Sequence, residues 1–215
     1  MSAMFAGKRT RPEILTMLSY LGSCVTAPSE ADMQCLLHVF EYLKGTLDLG
    51  LFFKPNSMQL YYWCDAAYGV HADMKGHTGM FAALGQGNAP IVAKSTKQKL
   101  NTRSSTESEL VALDDTLLHL LWLIQVIAFL GYPQSPVYVY QDNKSTMTVC
   151  NTGNSKSGKL KHMAIRWHFI HSKITTKVIE LVYISTQDMV ADILTKPLTG
   201  KDFTRLRDLL LNRVA

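Results

Sequence analysis

Lys94-Ser-Thr-Lys-Gln-Lys-Leu-Asn-Thr-Arg-Ser-Ser-Thr-Glu-Ser-Glu-Leu-Val-Ala-Leu113 carries the chain from a basic strand end, through a polar turn, into a long apolar helix. Ser104 and Glu107 stand at capping-box spacing, so the helix is predicted to begin at Ser104 and to run to about residue 130. Leu110, Leu113, Leu117, Leu120, Leu121, Ile124 and Ile127 recur mainly at steps of three and four, the buried stripe of an amphipathic helix. Capping accounts for Glu107. Glu109, in the first turn at the edge of that stripe, admits two readings: a charge well placed against the helix N-terminus, or a metal ligand.

Downstream, Gly131-Tyr132-Pro133 stops the helix, and 137–141 alternates β-branched and aromatic residues as a strand does. A short helix over 143–151, a flexible basic loop over 152–160, a helix over 161–175, a strand over 178–184 and helices over 186–195 and 200–212 follow. Upstream, 78–84 and 91–95 read as strands, and 49–53 and 59–64 as two more around a Pro55-Asn56-Ser57 turn. Before these, residues 1–10 read as a frayed lead-in. Thr10 reads as an N-cap with Pro12 in the first turn of a helix reaching about residue 25, and Pro28-Ser29 opens a second helix ending near Gly45. Together they form a helical hairpin. Hairpin strands followed by βα units imply an α/β fold: a mixed sheet with helices on its faces.

The 215 residues suffice for a real core, and the net charge of +5 with a pI near 9.0 leans mildly towards a polyanionic partner. The four cysteines form no C-x-x-C pair and no zinc spacing, and read as buried thiols of a reducing compartment. Trp63, Trp122 and Trp167 read as core. No signal peptide is expected at the N-terminus, and no apolar run is read as approaching the length of a membrane span; the best, 117–131, is interrupted by His119 and Gln125, so no membrane partner is expected.

Four acids share a kind of position. Asp65 and Asp142 end strands, Glu109 opens the long helix, and Asp192 lies in a helix after the last strand. Ligand sites of open sheets gather at strand ends and helix starts, and two neighbouring parallel strands would set Asp65 and Asp142 side by side. Each acid alone is ordinarily a solvated terminus. Four together repel unless a cation joins them, and oxygen ligands without His or Cys select Mg²⁺ or Mn²⁺. Two such ions roughly 3.5–4 Å apart can clamp a phosphodiester during in-line displacement.

The strings TRPEI (10–14), YLKGTLDLGL (42–51), DAAYGVHADMKGHTG (65–79), KSTKQKLNTRSSTESELVAL (94–113), YQDNKS (140–145), KHMAIRWHFI (161–170) and VADILTKPL (190–198) run in the order of one known family. The chain resembles the C-terminal reverse transcriptase–ribonuclease H region of copia-type LTR retrotransposon polyproteins. That resemblance implies a ribonuclease H-like mixed five-stranded sheet flanked by helices. It divides the chain into residues 1–45, a helical segment similar to the thumb or connection tail; 46–198, the ribonuclease H-like domain; and 199–215, a C-terminal helix. The polymerase's own Tyr-X-Asp-Asp stretch is absent. The resemblance assigns Asp65, Glu109, Asp142 and Asp192 to two Mg²⁺ ions, with Mn²⁺ a possible substitute. The implied activity is endonucleolytic hydrolysis of the RNA strand of RNA–DNA hybrids during reverse transcription. It also implies work within the rest of the polyprotein, inside the cell in a cytoplasmic virus-like particle. One departure stands out: Ser185-Thr186-Gln187-Asp188 occupies the loop where cellular ribonucleases H often carry a His. His71, His77 and His162 are the candidates to replace it.

No acid lies between Asp142 and Glu180, a stretch holding Lys144, Lys156, Lys159, Lys161, Arg166, Lys173 and Lys177. Lys94, Lys97, Lys99 and Arg103 precede the long helix. Such runs are usually solvated faces, but these flank the carboxylates, where a nucleic-acid backbone would have to be held. The nucleic-acid contacts expected are Lys94, Ser95, Lys97, Gln98, Asn101, Ser104, Ser105, Asn143, Lys161 and His162, the short polar ones suiting 2′-hydroxyls. Tyr68 and His77 are further candidates for sugar or phosphate. Two rivals remain open: a non-catalytic module that holds hybrid, and a DNA-cutting enzyme of related fold.

Overall fold

The computed structural model describes residues 2–154 and 158–213. Its sheet has five strands: β1 (Leu60–Ala67), β2 (His77–Leu84), β3 (Pro90–Lys97), β4 (Val137–Gln141) and β5 (Ile179–Tyr183), in the order β3-β2-β1-β4-β5. The first three form an antiparallel meander, while β4 and β5 run parallel to β1. This is the mixed, ribonuclease H-like arrangement that the resemblance implied.

The helices are α1 (Ser2–Arg9), α2 (Leu15–Ser23), α3 (Glu30–Gly45), α4 (Ser105–Phe129), α5 (Lys144–Thr152), α6 (Ala164–Thr175) and α7 (Gly200–Leu210). Strand alternation sorts the core into two layers. Leu60, Tyr62 and Cys64, with Met80, Val139 and Leu181, pack against Leu110, Leu113, Leu117 and Leu120 of α4 and against Trp167 and Ile170 of α6. On the other face Trp63 stacks on Phe81 with ring centroids 4.4 Å apart. Ile193, Leu194, Leu206, Leu210 and Leu15 cover that face. The N-terminal helices α1 and α2 are therefore packed onto the sheet, with α3 resting on α2, and Thr16 Oγ1 donates to the Ile193 carbonyl at 2.7 Å.

Ser104 caps α4 as expected: its Oγ accepts from the Glu107 N–H at 3.3 Å. The Glu107 carboxylate accepts from the Arg103 N–H at 2.8 Å, one residue earlier than in a reciprocal capping box. By length and composition α4 could cross a bilayer, which corrects the sequence reading. Here its apolar stripe lies on the sheet.

Several local expectations are overturned. Residues 49–53 are not a strand; β2 and β4 take both edges of β1, and Phe52 N–H donates instead to the Leu211 carbonyl at 3.0 Å. The lead-in forms α1, and Thr10 ends it rather than capping α2. A 3-10 turn, Pro12–Ile14, intervenes. Residues 186–195 form two 3-10 turns, Thr186–Asp188 and Val190–Leu194, because Met189 between them is extended at φ −72° and ψ 90°. Trp122 is 61% exposed, off the buried stripe, while Trp63 and Trp167 are core. Cys64 and Cys150 are buried thiols, but Cys24 and Cys35 are only half-buried; all four are free.

Candidate active site

The C-terminal ends of β1 and β4 and the N-terminal end of α4 meet at an open cleft of about 500 Å³. Its lining includes Asp65, Glu109 and Asp142, together with Tyr68, Ser105, Asn143, Thr186 and Lys196. One carboxylate oxygen from each of Asp65, Glu109 and Asp142 lies within 4.8 Å of the other two. Parallel pairing of β1 with β4 brings the two strand-end aspartates together, and the Ser104 cap sets where α4 starts and so where Glu109 falls. Asp192 is not a member of that trio. It comes from the 3-10 turn beneath β1, lies against Asp65 and shares Lys196 with it.

Each acid is held by a neighbour. Thr195 Oγ1 donates to Asp65 Oδ2 at 2.5 Å. Thr186 Oγ1 donates to Asp142 Oδ2 at 2.8 Å, and Gln141 Nε2 to Glu109 Oε2 at 3.3 Å. The Lys196 ammonium lies 2.7 Å from Asp192 Oδ1 and 3.9 Å from Asp65 Oδ2. These four helpers escaped the sequence reading. Lys196 left a trace, standing four residues after Asp192, but Thr186, Thr195 and Gln141 became partners only by folding.

A close approach makes the Thr195 contact possible. Gly79 pairs with Asp65 across the sheet, and a Cβ there would come within 2.6 Å of Thr195 Cγ2 and 2.9 Å of the Leu194 carbonyl carbon.

Burial, opposed by Lys196 and reinforced by the Asp192 charge, lifts the Asp65 carboxyl to about 6. Burial and then the Asp65 and Asp142 charges hold Glu109 well above the carboxylate range. Burial lowers Lys196, but Asp65, Asp192 and Asp142 together outweigh it and the net movement is upward. Carboxyls this reluctant to ionise, presented as hard oxygen donors at one point, fit a divalent cation.

The expected nucleic-acid contacts divide. Ser105 and Asn143 line the cleft, linked by a 3.5 Å hydrogen bond, and Asn143 caps α5. Tyr68 also lines it. Lys161 and His162 are exposed, with His162 Nε2 3.5 Å from the Glu107 carboxylate. Ser104 is used as the cap. Lys97 pairs with Asp73 at 2.9 Å, and Asn101 donates to the Asp73 carbonyl, so both brace the 70s loop. Lys94 is half-buried and hydrogen-bonds His119, on the α4 side of β3.

Ser95 and Gln98 are corrected: both are buried. Ser95 bonds His77 at 2.7 Å, and Gln98 donates to Thr78 and to the Ser108 carbonyl. His77 and His71 are likewise a buried pair 2.9 Å apart, which leaves neither at the surface. Arg166 is engaged by Asp114 and Asp115. Lys156 lies outside the described residues, as does the side chain of Lys159.

No family model matches the chain. Among curated proteins it is 34% identical over 197 residues to the retrovirus-related Pol polyprotein from transposon RE1 of Arabidopsis thaliana, covering 90% of this chain. It is 27% identical over 210 residues to that from transposon TNT 1-94 of Nicotiana tabacum, covering 97% of this chain. The chain spans 13% and 16% of the length of those relatives. Solved structures similar to it include LC11-RNase H1 in complex with RNA/DNA hybrid, with TM-score 0.47 and 16% identity over 64% of this chain and 94% of that one. The foamy viral protease-reverse transcriptase in complex with RNA/DNA hybrid gives TM-score 0.48 and 20% identity over 92% of this chain and 25% of that one.

Proposed function

From a chain that corresponds to the ribonuclease H region of retrotransposon Pol polyproteins, we propose that it hydrolyses the RNA strand of RNA–DNA hybrids by Mg²⁺-dependent endonucleolytic cleavage. The chain would belong to a copia-type element and remove template RNA during reverse transcription in a cytoplasmic particle.

The observation that carries it is the convergence of Asp65, Glu109 and Asp142 within 4.8 Å of one another in an open cleft. These three acids, with Asp192 beside them, would hold the divalent cation. Such an ion, when bound, neutralises developing charge on a phosphate and makes a water nucleophilic at neutral pH. The chain's own groups orient the acids. Thr195, Thr186 and Gln141 each fix one carboxylate oxygen, leaving others free to face the cleft. Ser105, Asn143 and Tyr68 on the cleft wall are placed to meet sugar hydroxyls and phosphate, and exposed Lys161 to meet backbone charge. Products would keep 5′-phosphate and 3′-hydroxyl ends.

Labelled RNA–DNA hybrid, double-stranded RNA and double-stranded DNA, incubated with Mg²⁺ beside an Asp142→Asn control, test the proposal. Cleavage of the hybrid alone, lost in the variant, is expected. Hybrid that is bound but left intact by the folded protein would assign a structural module instead, and cutting of duplex DNA would refute the substrate.

A further inference from the structure

We propose that the Lys196 ammonium is a built-in counter-ion standing between Asp65 and Asp192, so that the metal-binding site takes one divalent ion readily and a second only by displacing this lysine. The inference rests on the reading of Asp65, Glu109 and Asp142 as a metal site and deepens it.

Three observations carry it. Lys196 is the one basic side chain lining the cleft among the described residues. Its Nζ sits 2.7 Å from Asp192 Oδ1 and 3.9 Å from Asp65 Oδ2, joining the one acid outside the trio to a member of it. Its place is also set by the backbone. The Lys196 N–H donates to the Asp192 carbonyl at 2.9 Å and Pro197 follows, while Thr195 is anchored on Asp65. A lysine held in this way is a compact point charge that makes two buried carboxylates tolerable without a metal.

Asp65 belongs to both groups. It shares a cluster with Glu109 and Asp142 and an ion pair with Lys196. An ion at the trio therefore finds Lys196 already on the far side of Asp65, and a further divalent ion there would meet its positive charge at close range. Lys196 is a positioning residue in this account, acting through Asp65 and Asp192.

Calorimetric titration of the whole chain with Mn²⁺ at pH 7.5, without nucleic acid, tests the idea, with bound Mn²⁺ counted by electron paramagnetic resonance. The expected result is one tight ion in the wild type and two in Lys196→Met, the second bound about tenfold or more tightly than in the wild type. Lys196→Gln should behave as Lys196→Met, so a folding defect in one leaves the other to report. Lys196→Arg, which keeps the charge, should stay at one. Equal second-ion affinity in wild type and the neutral variants would overturn the counter-ion role while leaving the metal site standing. No Mn²⁺ binding by any of them would overturn both.

Discussion

Replacing Asp65 by Asn should stabilise the metal-free protein while destroying the proposed site. Burial raises the Asp65 carboxyl from 3.8 to about 6. Each unit is worth about 1.4 kcal/mol, so holding it ionised at pH 7.5 costs about 3 kcal/mol of folding free energy. Asn keeps the shape and an oxygen for the Thr195 hydroxyl, now bonded at 2.5 Å. It forfeits the attraction of Lys196, which retains Asp192 at 2.7 Å. The net gain should be about 1–3 kcal/mol, read by urea denaturation in EDTA at pH 7.5. The sign with pH follows from the raised folded value. The cost is complete above about 6 and disappears as pH falls towards 3.8, where the unfolded carboxyl also takes a proton, so the advantage of Asn should fade across that window. Adding Mg²⁺ should reverse the order by stabilising the wild type alone. An Asn variant less stable than wild type in EDTA by about 1 kcal/mol or more, or an advantage undiminished at pH 4, would refute the reasoning.

Glu109→Gln should abolish hybrid cleavage with the fold intact by circular dichroism, whereas Glu107→Gln should cost about 0.5–1 kcal/mol of stability and leave cleavage measurable; the reverse pattern would mean the wrong acid is in the site. Gly79→Ala should destabilise by about 1–3 kcal/mol in thermal unfolding, because the new Cβ meets Thr195 and the Leu194 backbone, and it should weaken Mn²⁺ binding as Thr195 leaves Asp65. Burial holds His77 at about 4, down from 6.5, so its neutral form contributes stability above 6.5 that is lost as pH falls towards 4. In an Asp65→Asn/Glu109→Gln background, which removes the opposing titrations of the two raised site carboxyls, acidification across that range should cost up to about 3 kcal/mol, and His77→Gln should flatten the curve.

The path from residues to site was legible where the deciding interactions are local. The Ser104 cap and the leucine stripe place α4, and with it Glu109, within a few residues of sequence. Asp65 and Asp142 could be anticipated as neighbours because each ends a strand, and a parallel pair sets such ends side by side. Residues 49–53 have strand-like composition, but β2 and β4 already take both edges of β1, a fact no window of sequence contains. The 186–195 segment looked helical until the extended backbone at Met189, whose side chain is fully buried, split it in two.

The polar residues show the same division most clearly. Ser95 and Gln98 carry the short hydrogen-bonding groups of a nucleic-acid surface, yet folding spends them on His77, Thr78 and α4. Thr186, Thr195 and Lys196, unremarkable in the chain, become the groups that grip the acids. Local periodicity and capping determined the elements and delivered the carboxylates to the ends of them, since those depend on near neighbours and backbone geometry. Which polar groups are buried, which hold an acid and which cation balances the cluster was decided only by tertiary structure, because a buried charge is set by what the whole fold brings within a few ångströms of it.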